Sequence, residues 1–323
     1  MAARLGIDIG GTFTDLSLLD ESSGNIYATK VPSTPADPTS GIFTGLRELL
    51  DISNVSAADI ATVVNSTSIP SLTVAERNGS KVALLTSEGF EHILLLGGVS
   101  EDFASSNPHT ATQAEPLADL TLTRGIPERM SAEGQILQPL DSSVASNMIQ
   151  EIIHLGAEHI AISLLHSYAN PIHERILRDL ISNLAPGLPV TLSSELRRIF
   201  REFERTSLTV MNAYIQRSMI THLKILHDKF TDLSAPPDIL VARSDGGLMG
   251  SERAQHSPIF AALSSSACAR RCARFGLGRK HDRNYAAPSD STTTCARWIG
   301  RPLSPGTPNT GHATHRSWRR LPD

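Results

Sequence analysis

Apolar and polar positions alternate from the first residues. Leu5, Ile7 and Ile9 share one face of a strand, Leu16, Leu18 and Leu19 mark a second, and Ile26 to Val31 a third. "DESSGN", Asp20 to Asn25, supplies the turn between the last two. The stretch "GIDIGGTFTD", Gly6 to Asp15, therefore joins strand to strand, not strand to helix. The period then lengthens. Ile42, Phe43, Leu46, Leu49 and Leu50 fall on one face of a helix over Pro38 to Leu50. A strand at Thr62 to Val64, a helix through Leu72 to Arg77 and a buried-type strand over Lys81 to Gly89 follow. Pro108 to Pro116 reads as a loop. Ser142 to Gly156 is an amphipathic helix that stops at glycine, and His159 to Tyr168 a strand. Asn170 to Leu184 is a helix with Asn at its cap and Pro at its first position. Leu188 to Leu196 reads as a strand, Phe203 to Phe230 as a long helix, and Pro237 to Met249 as a strand running into a glycine turn. Strands alternating with helices predict an α/β fold, with antiparallel hairpins near the start.

Composition adds a soluble globular class. The chain has 323 residues, 40% of them hydrophobic, and a net charge of −4, enough for one large domain or two ordinary ones. No apolar run reaches the length of a membrane span, and no apolar signal core precedes the first strand. The expectation is a cytoplasmic protein without membrane or nucleic-acid partners. Cys268, Cys272 and Cys295 are odd in number and form no disulfide framework, and two at helical spacing fall short of a zinc set. All three, with both tryptophans, lie within Ser265 to Asp323. That segment holds 10 Arg and 1 Lys against 3 Asp and no Glu, a charge of +8, which leaves −12 on the rest. It has neither valine nor methionine. With so few branched apolar residues it is expected not to fold, and to be out-of-frame translation joined near Leu263.

The glycine loop is the clearest chemistry. A phosphate needs backbone N–H groups aimed at it and no side chain in the way, which Gly10 and Gly11 allow. Thr12 and Thr14 add hydroxyls. Asp8 and Asp15 suit a Mg²⁺ held through water beside that phosphate. The competing reading is a plain tight hairpin turn. The spacing is not the dinucleotide G-x-G-x-x-G, and no Lys follows as the Walker A loop requires.

A D-x-G-G-T hairpin resembles the first phosphate loop of the actin-like ATPase and sugar kinase superfamily, in which a second, related loop faces the first across ATP. The motifs that follow are narrower. "VNSTSIPSLTVAERNGSKVALLTSEGFEHILLLG", "GIPERMSAEGQILQPLD", "SLLHSYANPIHE", "SSELRRIFREFERTSLTVMNAY" and "RSDGGLM" occur in the order found in the hydantoinase/oxoprolinase A family. The similarity covers about Leu5 to Leu263. It implies an actin-like ATPase (ribonuclease H-like) N-terminal half with a mixed sheet over 1–190. The start of a second, hydantoinase A core domain would follow over 191–263, with the basic tail at 264–323.

The resemblance further implies ATP-dependent opening of a cyclic amide such as 5-oxoproline or a hydantoin, with ATP and Mg²⁺ as cofactors and a hydantoinase B-type subunit as partner. Asp8, Gly10, Gly11, Thr12, Thr14 and Asp15 would hold phosphate and metal. Asn65, Thr67, Arg201, Glu204, Asp245 and Gly246 are substrate-side candidates. Two departures stand out. Asn65 occupies the place of the histidine in the family's HGTT, and no second D-x-G-G-T loop occurs in these 323 residues. A fragment that only binds a partner, and an acyl- or sugar-kinase-like ATPase, are the alternative readings.

Overall fold

The computed structural model describes residues 2–34, 37–96, 115–233, 238–265 and 267. Most of the loop expected at Pro108 to Pro116 lies outside the described residues. So does nearly all of the tail expected not to fold.

The opening strands form as the alternation requires. β1 (Ala3–Ile9) pairs antiparallel with β2 (Phe13–Asp20), and β2 pairs antiparallel with β3 (Ile26–Pro32). On its other side β1 lies parallel to β4 (Ile60–Thr67). β11 (Asp238–Ala242) and β12 (Leu248–Gly250) complete a mixed sheet of order β12-β11-β4-β1-β2-β3. Helix α1 (Pro38–Ser53) covers one face. Its Asp37 cap accepts from Thr39 N at 3.1 Å, and Asn54 ends it in the left-handed region. Its Ile42, Leu46 and Leu49 share a core with Leu5, Ile7, Leu16 and Leu18.

Between β4 and β11 the chain builds a second sheet. α2 (Ile69–Ala75) leads to β5 (Val82–Ser87), the short α3 (Ile93–Leu96) and β6 (Ala118–Ile126). A small hairpin follows, β7 (Arg129–Met130) with β8 (Ile136–Gln138). Then come α4 (Ser142–His154), β9 (His159–Ser163), α5 (Ile172–Leu184), β10 (Val190–Leu192) and the helical turn α6 (Ser193–Leu196). The sheet order is β10-β9-β5-β6, and every pair is parallel. β5 and β9 are buried along their whole length, as strands covered on both faces must be. The sheets thus divide the chain discontinuously: 3–67 with 238–250, and 82–192 between them.

Helix α7 (Glu202–Asp232) ties the sheets together. Val210, Ala213 and Ile215 pack with Val82, Leu84 and Ala161 of the second sheet. Met219, Leu223, Leu226 and Phe230 pack on the first. α8 (Ser251–His256) follows β12, and a last helical turn carries Ser264, Ser265 and Ala267. Leu188 to Leu196 is therefore strand only to Leu192. Ser193 and Ser194 turn out of the sheet because their hydroxyls reach Glu174 Oε1 and Oε2, both at 2.6 Å. α5 begins one residue later than its sequence suggests, with Asn170 Oδ1 accepting from Ile172 N at 3.2 Å.

Gly79 lets the chain pass beneath α7. A Cβ there would sit 2.6 Å from the Tyr214 carbonyl oxygen, and Ser80 N donates to that same oxygen at 3.0 Å. Because backbone has to move, Gly79→Ala is expected to cost about 1–3 kcal/mol. Gly250→Ala, whose Cβ meets no described atom within 4 Å, is the clash-free control in a thermal melt and is expected to lose only the small N-cap preference for Gly over Ala.

Candidate functional site

The β1–β2 turn is narrow and braced. Gly10 N donates to Phe13 O at 3.0 Å, Ser33 Oγ donates to Gly10 O at 2.8 Å, and Ser33 N donates to Thr12 O at 2.9 Å. The Thr14 and Ser33 hydroxyls are 3.0 Å apart. A Cβ on Gly10 would meet Phe13 O at 2.8 Å, so the turn closes only around glycine. At Gly11 the first neighbour of a Cβ is Leu72 Cδ2, at 3.7 Å. Gly10 and Gly11 face a cleft of about 540 Å³. Ile69, Leu72 and Thr73 of α2 line it, with Arg217, Thr221 and His222 of α7 opposite and Asp37 and Glu76 at its walls. Thr12 is exposed, whereas Thr14 is fully buried against Ser33. The Thr14 hydroxyl thus lies against Ser33, where it braces the turn.

The two carboxylates lie elsewhere. In the ladder Asp8 faces Asp15 and Ser66, and Asp15 faces Lys30. Alternation puts this group on the sheet face opposite Ile7, Ile9 and Asn65. Both acids are 4% exposed. Asp8 Oδ1 accepts from Ser66 Oγ at 2.6 Å and Oδ2 from Ser265 Oγ at 3.1 Å. Lys30 Nζ donates to Asp15 Oδ1 at 2.7 Å. Burial, the largest influence, pushes the Asp8 carboxyl above its ordinary value, against the pull of the two serine hydrogen bonds.

The fit of the cofactors differs. The bare, braced turn beside an open cleft fits a phosphate. The carboxylates, closed by serines and a lysine, do not fit a directly bound metal, and the described residues hold no cluster of three metal-ligating side chains. The sequence expectation, Mg²⁺ held by Asp8 and Asp15 through water, takes fewer protein ligands than such a cluster.

The substrate-side candidates are dispersed. Asn65 and Thr67 are fully buried on β4. Asn65 Nδ2 lies 3.0 Å from His222 Nε2, and Ser264 Oγ bonds both the N–H and the carbonyl of Thr67. Asp245 and Gly246 form the β11–β12 turn, where Asp245 accepts from Gly247 N at 2.9 Å and pairs with Arg243 at 2.6 Å. Gly246 has φ +82°. Arg201 and Glu204 pair with each other at 3.3 Å on the exposed start of α7. Glu204 lies about 27 Å from His222 at 1.5 Å per helical residue, so this pair is not part of the cleft. His222 itself was not among the sequence candidates. Its only sequence signal is a polar side chain amid the buried apolar positions of α7.

A model of the hydantoinase/oxoprolinase N-terminal region matches residues 4–185, and a hydantoinase/oxoprolinase model matches residues 205–274. The chain belongs to the hydantoinase/oxoprolinase family. The second match runs past Leu263, where the motifs read from sequence stop. Ser264 and Ser265, assigned there to the tail, pack against β4 and β1.

An uncharacterized protein of Methanocaldococcus jannaschii is 32% identical over 265 residues, 80% of this chain and 38% of that one. The caprolactamase alpha subunit of Pseudomonas jessenii is 32% identical over 249 residues, 76% of this chain and 36% of that one. The solved ATP-dependent caprolactamase from Pseudomonas jessenii superposes with a TM-score of 0.75 at 32% identity, covering 86% of this chain and 41% of that one. Nucleotide-free acetone carboxylase gives 0.73 at 26% identity, with the same coverage. The chain thus spans well under half the length of these relatives. Among the described residues no helix is long and apolar enough to cross a membrane.

Proposed function

We propose that this chain supplies the first phosphate-binding half of an ATP-dependent enzyme that opens a cyclic amide. The observation that carries the proposal is the Gly10–Gly11 turn, bare of side chains and braced by Ser33, at the wall of the cleft. With the Gly10 N–H held by Phe13 O, the Gly11 N–H is the turn donor left to meet a phosphate oxygen. A lactam carbonyl is a poor electrophile. Phosphorylating its oxygen turns that oxygen into a leaving group, and water then adds to the carbon. The likeness to an ATP-dependent caprolactamase supports both ATP and the cyclic amide.

Charge on a phosphoryl group in transfer needs donors on both sides, and these 323 residues carry one such loop. The chain is therefore expected to bind a nonhydrolysable ATP analogue but to release phosphate from ATP very slowly with 5-oxoproline or hydantoin. Robust turnover by this chain alone would remove the half-site reading. Gly11→Val is expected to lower analogue affinity more than tenfold with the melting temperature unchanged, because its side chain enters the cleft and not the core. Calorimetric titration checks it, and an unaltered affinity sinks the phosphate assignment. The second reading is a partner-binding subunit, which fits the several relatives that are themselves subunits. It predicts no analogue binding at all.

A further inference from the structure

Two hollows meet at Gly79 and Ser80. One is the cleft beside the glycine turn, and the other, of about 550 Å³, opens at the first residues of β5 and β6. Arg217 lines the first and Glu158 the second. Their side chains pair across the rim at 3.3 Å, with Arg217 72% and Glu158 47% exposed. An ion pair this open to water adds little to stability and is easily broken.

Arg217 stands level with the turn. α7 leads into β11, which is parallel to β4, and runs back against both. His222 of α7 touches Asn65, whose neighbour across the ladder is Ile7. From Ile7, β1 advances to Ile9 over about 6.6 Å. From His222, α7 reaches back to Arg217 over about 7.5 Å in that same direction. The guanidinium therefore starts from the wall opposite Gly10 and Gly11, at their height.

The charges of the cleft single it out. Its charged lining residues are Asp37, Glu76 and Arg217. Asp37 has Lys229 Nζ at 3.5 Å, and Glu76 accepts from Asn78 Nδ2 at 2.9 Å. His222, pushed down by burial to about 4, is neutral near pH 7. Arg217 is thus the positive charge left to face an anion, and its present partner lies over the rim. One backbone N–H of the turn does not hold a phosphate by itself. A planar guanidinium offers paired donors that match phosphate oxygens.

We propose that Arg217 is a phosphate-binding residue that exchanges Glu158 for the phosphates of a nucleotide seated at Gly11, with Glu158 setting how readily it does so. This rests on the phosphate reading above and adds the cation of the opposite wall and the carboxylate that competes for it. Arg217 supplies binding charge and does not replace the missing second loop.

The test is a double-mutant cycle on the full chain, titrated calorimetrically with the nonhydrolysable ATP analogue. Arg217→Gln is expected to weaken binding at least fivefold with the melting temperature unchanged, because the side chain is exposed. Arg217→Lys, which keeps the charge without the fork, should recover part of the loss. Glu158→Gln, which keeps an acceptor for the Lys81 N–H, should tighten binding two- to threefold. In the Arg217→Gln background the same change should have no effect. Glu115→Gln, which removes another exposed carboxylate of the second hollow, should leave the affinity unaltered.

Arg217→Gln within twofold of the parent overturns the proposal. So does a Glu158→Gln effect that persists without Arg217, or one that Glu115→Gln reproduces, since either shows a diffuse charge and no exchange of partners. If Gly11→Val still weakens the analogue in those cases, the phosphate reading stands and only the role of Arg217 falls. A parent chain that binds no analogue removes both.

Discussion

Between pH 6.5 and about pH 4 the folded protein is expected to lose about 6 kcal/mol of stability, comparable with the whole stability of an ordinary domain. Two histidines carry the effect. Burial pushes both His159 and His222 down from 6.5 to about 4. His159 is 1% exposed, with Nε2 2.9 Å from the Thr191 hydroxyl, and burial is what lowers it. Above pH 6.5 both rings are neutral in the folded and the unfolded chain, and they contribute nothing to the pH dependence. Below it the unfolded chain takes up two protons that the fold refuses, so stability falls as pH falls. The loss levels off below the folded values. At 1.36 kcal/mol per pH unit each ring is worth about 3 kcal/mol.

Asp8, whose carboxyl is raised by burial, takes its proton more readily when folded and offsets part of the loss at the acid end. The lowered carboxylates, Asp37, Asp119 and Asp141 among them, act only below their ordinary 3.8. Urea unfolding at pH 7, 6, 5 and 4 reads the slope, and His159→Gln should remove about half of it. A flat profile from pH 7 to 5 would contradict the burial of both rings.

Glu174→Ala is expected to cost about 3–5 kcal/mol, because it empties a fully buried carboxylate position. Oε1 accepts from Leu164 N at 3.1 Å and Ser193 Oγ at 2.6 Å, and Oε2 from Ser194 N at 3.0 Å and Ser194 Oγ at 2.6 Å. Alanine strands the Leu164 and Ser194 backbone donors in a fully buried site. It also removes a negative charge that favours the guanidinium of Arg205, itself 1% exposed. Glu174→Gln keeps one good acceptor and is expected to cost less than half as much. The comparison is made by urea denaturation at pH 7. An alanine variant within 1 kcal/mol of the parent would show that β9, α5 and α6 do not depend on this carboxylate.

Local chemistry determined the parts that the sequence made legible. Leu5, Ile7 and Ile9 alternate, and the Gly10–Gly11 pair follows at once, so the hairpin and its turn needed no distant partner. The 3.6-residue period fixed α1, α4, α5 and most of α7 for the same reason. β6 was missed because its pattern, buried at Ala118, Leu122 and Ile126, is not a clean alternation. Its burial comes from parallel pairing with β5. The strand read through Leu196 stopped at Leu192 because Glu174, nineteen and twenty residues earlier, binds the two serines.

The site was divided in the same way. Sequence placed Asp8, Gly10, Gly11, Thr14 and Asp15 together, and they are close along the chain. Only the sheet decided that Asp8 and Asp15 share a face with Lys30 and Ser66, that Thr14 is buried behind Ser33, and that the glycines alone reach the cleft. The contact of His222 with Asn65 spans 157 residues. No local period encodes such a pair. It exists because α7 crosses both sheets and lays its second half over β1 and β4, which is a property of the packed fold.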